Sequence, residues 1–284
     1  MTDALAQFNY FQWKPIFLNE KPYYLYTDPP EGCPNANFST APGATETVHD
    51  IRGREQKFNL DDHGFALRHQ EFPIEIVTDV TIQKQYLPSL EVMIRELLQE
   101  ECEIFWFDWR TRSSDRAKTD FAEGTKISLE DRMVILAPIK AVHVDQTPAA
   151  AVDRVYRHVP DRADELLKKR FTIINVWRPV GPPVETFPLA FCDGSSVPQE
   201  KLIEVDVVRK SFPGESYYPI EYSGYKWYFM NRQTQDEVLF MKMNDSDDSV
   251  KAKCCPHASF AQSTDLDAKP RESIEVRALV FTDS

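Results

Sequence analysis

Apolar residues recur along this chain with two different periods, and each period predicts a different element. Between residues 85 and 101, Leu87, Leu90, Ile94, Leu97 and Leu98 fall at i, i+3, i+7, i+10 and i+11, with Glu and Arg filling the opposite face. That spacing gathers the apolar side chains on one stripe of an α-helix, which needs a second layer to cover it. Downstream the pattern changes. Glu103–Trp109, Met133–Asp145, Phe171–Arg178, Leu202–Arg209, Tyr225–Arg232, Glu237–Met243 and Ser273–Phe281 are rich in β-branched and aromatic residues. Polar or proline-containing stretches separate them, so each predicts a strand. A second helical stretch over 148–169 contains Pro160, which lacks an N–H and predicts a break into two pieces. Residues 1–70 are rich in Pro, Asn, Asp and aromatics with little regular period. They predict a loop-rich N-terminal arm with short strands such as Tyr23–Tyr26.

Many short strands with one or two covering helices predict a mainly β chain with a closed or double-sheet core, such as a jelly roll. No repeat, low-complexity segment or linker interrupts it, so the expectation is one structural domain, an arm over 1–70 packed on a core over 71–284. Composition narrows the function classes. Hydrophobic residues make up 42% of the 284, enough for a packed core. The net charge of −12 repels phosphate backbones, which argues against a nucleic-acid partner. No stretch approaches the roughly 18 consecutive apolar residues of a membrane helix. Met1–Phe8 shows no basic region followed by an apolar run, so the expected setting is cytoplasmic. Cys33, Cys102, Cys192, Cys254 and Cys255 are scattered without a CxxC pair. Reduced thiols are expected rather than a disulfide scaffold or a four-ligand zinc site.

Two His-x-acid triplets stand out among the six histidines, His69-Gln70-Glu71 and His143-Val144-Asp145. His143 and Asp145 end a long apolar run, where a period of two puts both side chains on one face of a strand. His69-Gln70-Glu71 lies in charged sequence and reads as a surface pair. Two imidazoles and a carboxylate on one octahedral face suit an iron(II) ion that keeps open positions for oxygen chemistry. The third ligand must come from a distant strand, and His257, between two strand-like segments, is the candidate. Thirteen residues on begins Pro270-Arg271-Glu272-Ser273-Ile274-Glu275-Val276-Arg277. An arginine grips a carboxylate with two parallel hydrogen bonds, and a hydroxyl two residues along the same strand face can add a third. Arg271 and Ser273 meet that description for a dicarboxylate; Arg277 shares their face and is the reserve. A zinc hydrolase, or a cupin-like β-barrel whose metal is structural or absent, fits the triad alone, but a structural metal needs no dicarboxylate anchor.

In this order, His143-x-Asp145, His257 and Arg271-x-Ser273 resemble the Fe(II)/2-oxoglutarate dioxygenases. More closely, the chain is similar to the mostly fungal group of gibberellin desaturase and the cephalosporin methoxylation protein. The likeness is carried by Val48–Gly53, Asn175–Pro179, Pro188–Ala190, Trp227-Tyr228, Pro256–Phe260 and Pro270–Arg277. It implies a double-stranded β-helix, Fe(II) held by His143, Asp145 and His257, 2-oxoglutarate as cosubstrate with O2, and hydroxylation or desaturation of a small, largely apolar secondary metabolite. The wide gap between His143 and His257 implies an insertion within 180–225 that lines or covers the substrate pocket. Tyr228 could hydrogen-bond the cosubstrate. Arg178 is expected in a structural ion pair, and Asp50 in a turn, though His49-Asp50 could reach the site.

Overall fold

The computed structural model describes residues 2–26, 32–120, 131–209, 212–262 and 267–283. Fourteen strands run in chain order among them. They are β1 (Ala4–Phe11), β2 (Tyr23–Leu25), β3 (Thr40–Asp50), β4 (Phe65–His69), β5 (Cys102–Ser113), β6 (Ile135–Leu136) and β7 (Arg170–Pro179), then β8 (Leu189–Cys192), β9 (Leu202–Val208), β10 (Pro213–Pro219), β11 (Trp227–Phe229), β12 (Glu237–Asp245), β13 (His257–Ser259) and β14 (Glu272–Thr282). Two longer helices, α1 (Leu87–Leu98) and α2 (Pro148–His158), accompany them. The chain is mainly β, as its pattern predicts.

The strands form three sheets. Six make the large sheet, β4-β12-β7-β14-β5-β6; five make a second, β1-β3-β11-β8-β13; β10-β9-β2 make a third. Alternation along β14 sorts the layers. Ile274, Val276, Ala278 and Val280 join Leu87, Leu90 and Ile94 of α1 in one buried cluster. Leu279 and Phe281 face the other way and meet Phe191 of β8, Tyr217 of β10 and Val144. The helix stripe therefore covers the outer face of the large sheet, while the inner face closes on the other two sheets. Leu90 and Ile94 are fully buried, and burying each contributes about 1.5–3 kcal/mol.

Three expectations are corrected. Residues 4–50 hold long strands rather than loops: β1 pairs antiparallel with β3, and β3 pairs with β11. Their mixed, half-exposed pattern, with five of the eleven β3 positions half-buried and four exposed, hides the strand period. The run 133–145 is no continuous strand. After β6, Val142 N donates to Asn9 O, His143 N to His257 O and Val144 N to Tyr217 O. Successive residues thus bond to three different partners, and Pro138 has no N–H to offer a ladder. Tyr225–Arg232 is a strand only over β11. The break at Pro160 is observed: α2 ends at His158, a 3-10 turn spans Pro160–Arg162, and a short helix follows at Ala163–Leu166.

Candidate metal centre

A pair of backbone hydrogen bonds builds the centre. His143 N donates to His257 O at 3.2 Å, and His257 N donates to His143 O at 3.0 Å. In such an antiparallel pair the two side chains emerge on one side, and the imidazole centroids lie 4.4 Å apart. Asp145, two residues on, returns to that face and brings Oδ1 to 3.6 Å from His143 Nε2. One donor atom from each of His143, Asp145 and His257 lies within 4.8 Å of the others, the one such group among the described residues.

Each donor is oriented. His143 Nδ1 donates to Ala141 O at 2.9 Å, and His257 Nδ1 to Cys255 O at 3.1 Å. A carbonyl oxygen only accepts, so each Nδ1 carries the hydrogen and each Nε2 presents its lone pair to the cluster. Burial, reinforced by His257, pushes the His143 imidazole down to about 3, which keeps it neutral. Burial works to raise the Asp145 carboxyl, but Arg277 and the two imidazoles outweigh it and hold the group well below the usual carboxylate range. Asn175 Nδ2 donates to Asp145 Oδ2 at 2.7 Å, and Arg277 reaches the same oxygen at 2.9 Å. Oδ1 is left for the cluster. A neutral imidazole at His143 and an ionised carboxylate at Asp145 are donor forms a divalent metal binds.

Arg271, just before β14, and Arg277 within it separate clearly. Arg277 is buried and binds Asp108 at 3.0 Å and Glu275 at 2.6 Å besides Asp145, so carboxylates already neutralise its charge. Arg271 is equally buried and touches no described carboxylate. Its Nη1 donates to Phe187 O and Ser259 Oγ, both at 2.8 Å, while its Nε has no partner. The guanidinium carbon lies 5.6 Å from the Trp177 ring. Burial, then the nearby Arg112 charge, pushes Arg271 down to about 9. Ser273 Oγ is buried without a partner as well. Across the β14–β5 ladder, Ser273 is paired with Arg112, whose Nη1 donates to Ala137 O. A buried hydroxyl without a partner costs about 1–3 kcal/mol, and an uncompensated guanidinium costs more. Arg271 and Ser273 lie two residues apart at the start of β14.

The remaining candidates fall away from the centre. Tyr228 packs its ring 5.0 Å from Phe58 and 5.7 Å from Phe65. It is one strand pairing beyond Phe191, which itself pairs with His257. Arg178 lies on the outer face of β7, 5.2 Å from the Phe72 ring and 5.4 Å from that of Tyr86, with Gln70 as hydrogen-bond partner. It makes a cation–π clamp where an ion pair was expected. Asp50 accepts from Arg52 N at 3.1 Å and holds the turn as expected, while exposed His49 meets Asp3. His69 ends β4 and is exposed; the decoy does follow a strand, but it points to solvent. Asn175 and Arg112 are the residues sequence reasoning underused. Asn175 was placed on a strand without a partner, and Arg112 lies just past the predicted end of its strand.

Beside the centre opens a cavity of about 390 Å³ whose wall includes Asp145, parts of α2 and the β9–β10 hairpin. That hairpin lies within the expected insertion over 180–225, of which Lys210 and Ser211 are outside the described residues.

Comparison with known proteins agrees with this chemistry. A family model described as an oxidoreductase/YMDC permease-like domain matches residues 8–281. Among the described residues no helix is long and apolar enough to cross a membrane. An Fe(II)/2-oxoglutarate-dependent dioxygenase of Aspergillus novofumigatus is 30% identical over 92% of this chain and 91% of its own length. A hydroxylase/desaturase of Hormonema carpetanum is 31% identical over 88% and 86%. A solved variant of the iron and α-ketoglutarate-dependent endoperoxidase NvfI superposes with a TM-score of 0.85 at 28% identity, covering 100% of this chain and 99% of that one.

Proposed function

The chain belongs to the Fe(II)/2-oxoglutarate-dependent dioxygenases, and on that premise we propose that His143, Asp145 and His257 hold its iron while Arg271 and Ser273 anchor the cosubstrate. The enzyme hydroxylates or desaturates a small secondary metabolite with Fe(II), 2-oxoglutarate and O2, as its hydroxylase/desaturase relatives do. The carrying observation is the neighbourhood of two unlike things: a two-histidine, one-carboxylate cluster, and a buried guanidinium that touches no described carboxylate and bonds Ser259, two residues from His257 on β13. A structural metal would have no use for the second. When bound, the metal and cosubstrate supply oxygen activation coupled to oxidative decarboxylation.

The chain's own residues do the positioning. The carbonyls of Ala141 and Cys255 hold the imidazoles in the Nδ1–H tautomer. Asn175 and Arg277 keep Asp145 ionised and turned to present one oxygen. Arg271 and Ser273 receive the distal carboxylate, with the Arg112 charge close by. Trp177 and the apolar inner core exclude bulk water. We read the large sheet and the two smaller ones as the halves of a double-stranded β-helix. In that reading the described strands of residues 1–70, β1 to β4, extend the sheets of an oxygenase core over 71–284 in one structural domain. The five free cysteines support a cytoplasmic setting.

Anaerobic addition of ferrous iron and 2-oxoglutarate to the protein should produce a visible metal-to-ligand charge-transfer band, which Asp145→Ala should lose. A wild-type protein that binds zinc tightly and yields no band with fresh ferrous iron would move the reading to zinc chemistry.

A further inference from the structure

An arginine cluster that the iron site does not use walls the cavity beside Asp145. Arg154 and Arg157 are three apart on α2 and share a helix face. Arg209 follows β9, where its N–H donates to Phe212 O at 3.0 Å across the hairpin. All three guanidiniums gather on one ring: their central carbons lie 4.3, 4.0 and 5.3 Å from the Phe212 centroid. None of the three forms an ion pair with a described carboxylate, and Arg209 Nε is buried without a partner. The acidic groups of the same wall are engaged or distant. Asp145 is held by Arg277 and Asn175, Glu215 by Lys21 and Thr147, and Asp153 faces solvent.

Like charges this close repel one another and are tolerated because the ring face attracts them. Burial, then Arg209 and Arg277, pushes Arg154 down to about 9. In a chain of net charge −12, such a concentration of unneutralised cations inside a cavity is a receiving surface for an anion. It is distinct from the cosubstrate anchor, because neither Arg271 nor Ser273 lines this cavity. Val207, Ala150 and Pro213 add apolar wall between the cluster and Asp145.

We propose that Arg154, Arg157 and Arg209 bind a carboxylate of the substrate, so that the enzyme acts on an acidic metabolite whose apolar body lies along Val207 toward Asp145. The proposal rests on the iron and 2-oxoglutarate reading of the same site. A bound carboxylate would anchor the far end of the molecule and thereby select which carbon faces the metal.

Pyrene-1-butyrate and its methyl ester, titrated by fluorescence anisotropy, provide the test, with anaerobic protein loaded with ferrous iron and saturating 2-oxoglutarate. The acid should bind about tenfold tighter than the ester, and added salt should erode the difference. Arg154→Met with Arg157→Met should abolish the preference and leave the ester unchanged. Arg157→Met alone, at an exposed position, should reduce it by about threefold. Equal binding of acid and ester, no binding of either, or a preference that survives the double substitution overturns the proposal. So does a preference lost in Arg271→Met instead, which would seat the acid in the cosubstrate anchor. The charge-transfer band in the same samples reports on the iron reading independently: its absence in the wild type contradicts that reading, whereas its presence with no acid preference contradicts only this one.

Discussion

Arg271 and Arg277 stand six residues apart on the same side of the last strand region, and their electrostatic states are opposite. Arg277 is ringed by Asp108, Glu275 and Asp145. Arg271 has two neutral acceptors and a tryptophan face. Burial is the same for both, so the difference lies in the partners. Full neutralisation makes Arg277 a clamp, whose work is to hold Asp145 in place and ionised. A buried cation left without a counter-charge is costly to the fold and is retained where a ligand supplies the counter-charge. Arg178 marks a third condition, a buried arginine held against two aromatic rings on the outer side of the sheet with its Nε and Nη1 unpartnered.

Substitution separates these conditions. Replacing Arg277 by Met removes the cation beside Glu275 and Asp145, while Asp108 keeps Arg110; it should cost roughly 3–5 kcal/mol, lowering the calorimetric Tm by about 10 °C. An unchanged Tm would show that the ring of carboxylates is not held by this residue. Asn175→Ala removes the neutral hydrogen bond to Asp145 and should weaken metal binding by about 10–100-fold in a competitive chelator titration. If metal affinity is unaffected, Asp145 is oriented by Arg277 alone. Ser273→Ala deletes an orphaned hydroxyl, so stability should hold or rise slightly while the KM for 2-oxoglutarate rises by about fivefold. A KM unchanged by that substitution would remove the hydroxyl from the anchor.

How far the sequence could be read varied with the kind of signal. His143 and Asp145 are legible because their i, i+2 spacing directs both to one face whether or not the run is a regular strand. The run in fact is not one, since its backbone bonds go to three different partners, and no periodicity records a change of partner. The helix α1 was legible because a single apolar stripe covers a single sheet. The strands β1 and β3 were not, because their half-exposed faces mix polar and apolar residues. Arg112 lies past the predicted end of its strand, and its value comes from register with Ser273, a fact of pairing. The arginine cluster was hidden for the same reason, because Arg209 comes from the hairpin and Arg154 and Arg157 from α2, 52 to 55 residues away in sequence.

The measurement that bears most directly on the difference between Arg271 and Arg277 is the 2-oxoglutarate dissociation constant of iron-loaded Arg271→Met, read anaerobically from the charge-transfer band. The expected result is wild-type iron stoichiometry and a Kd raised by roughly tenfold to a hundredfold. A Kd equal to that of the wild type, with the band intact, would contradict the assignment of Arg271 as the cosubstrate anchor.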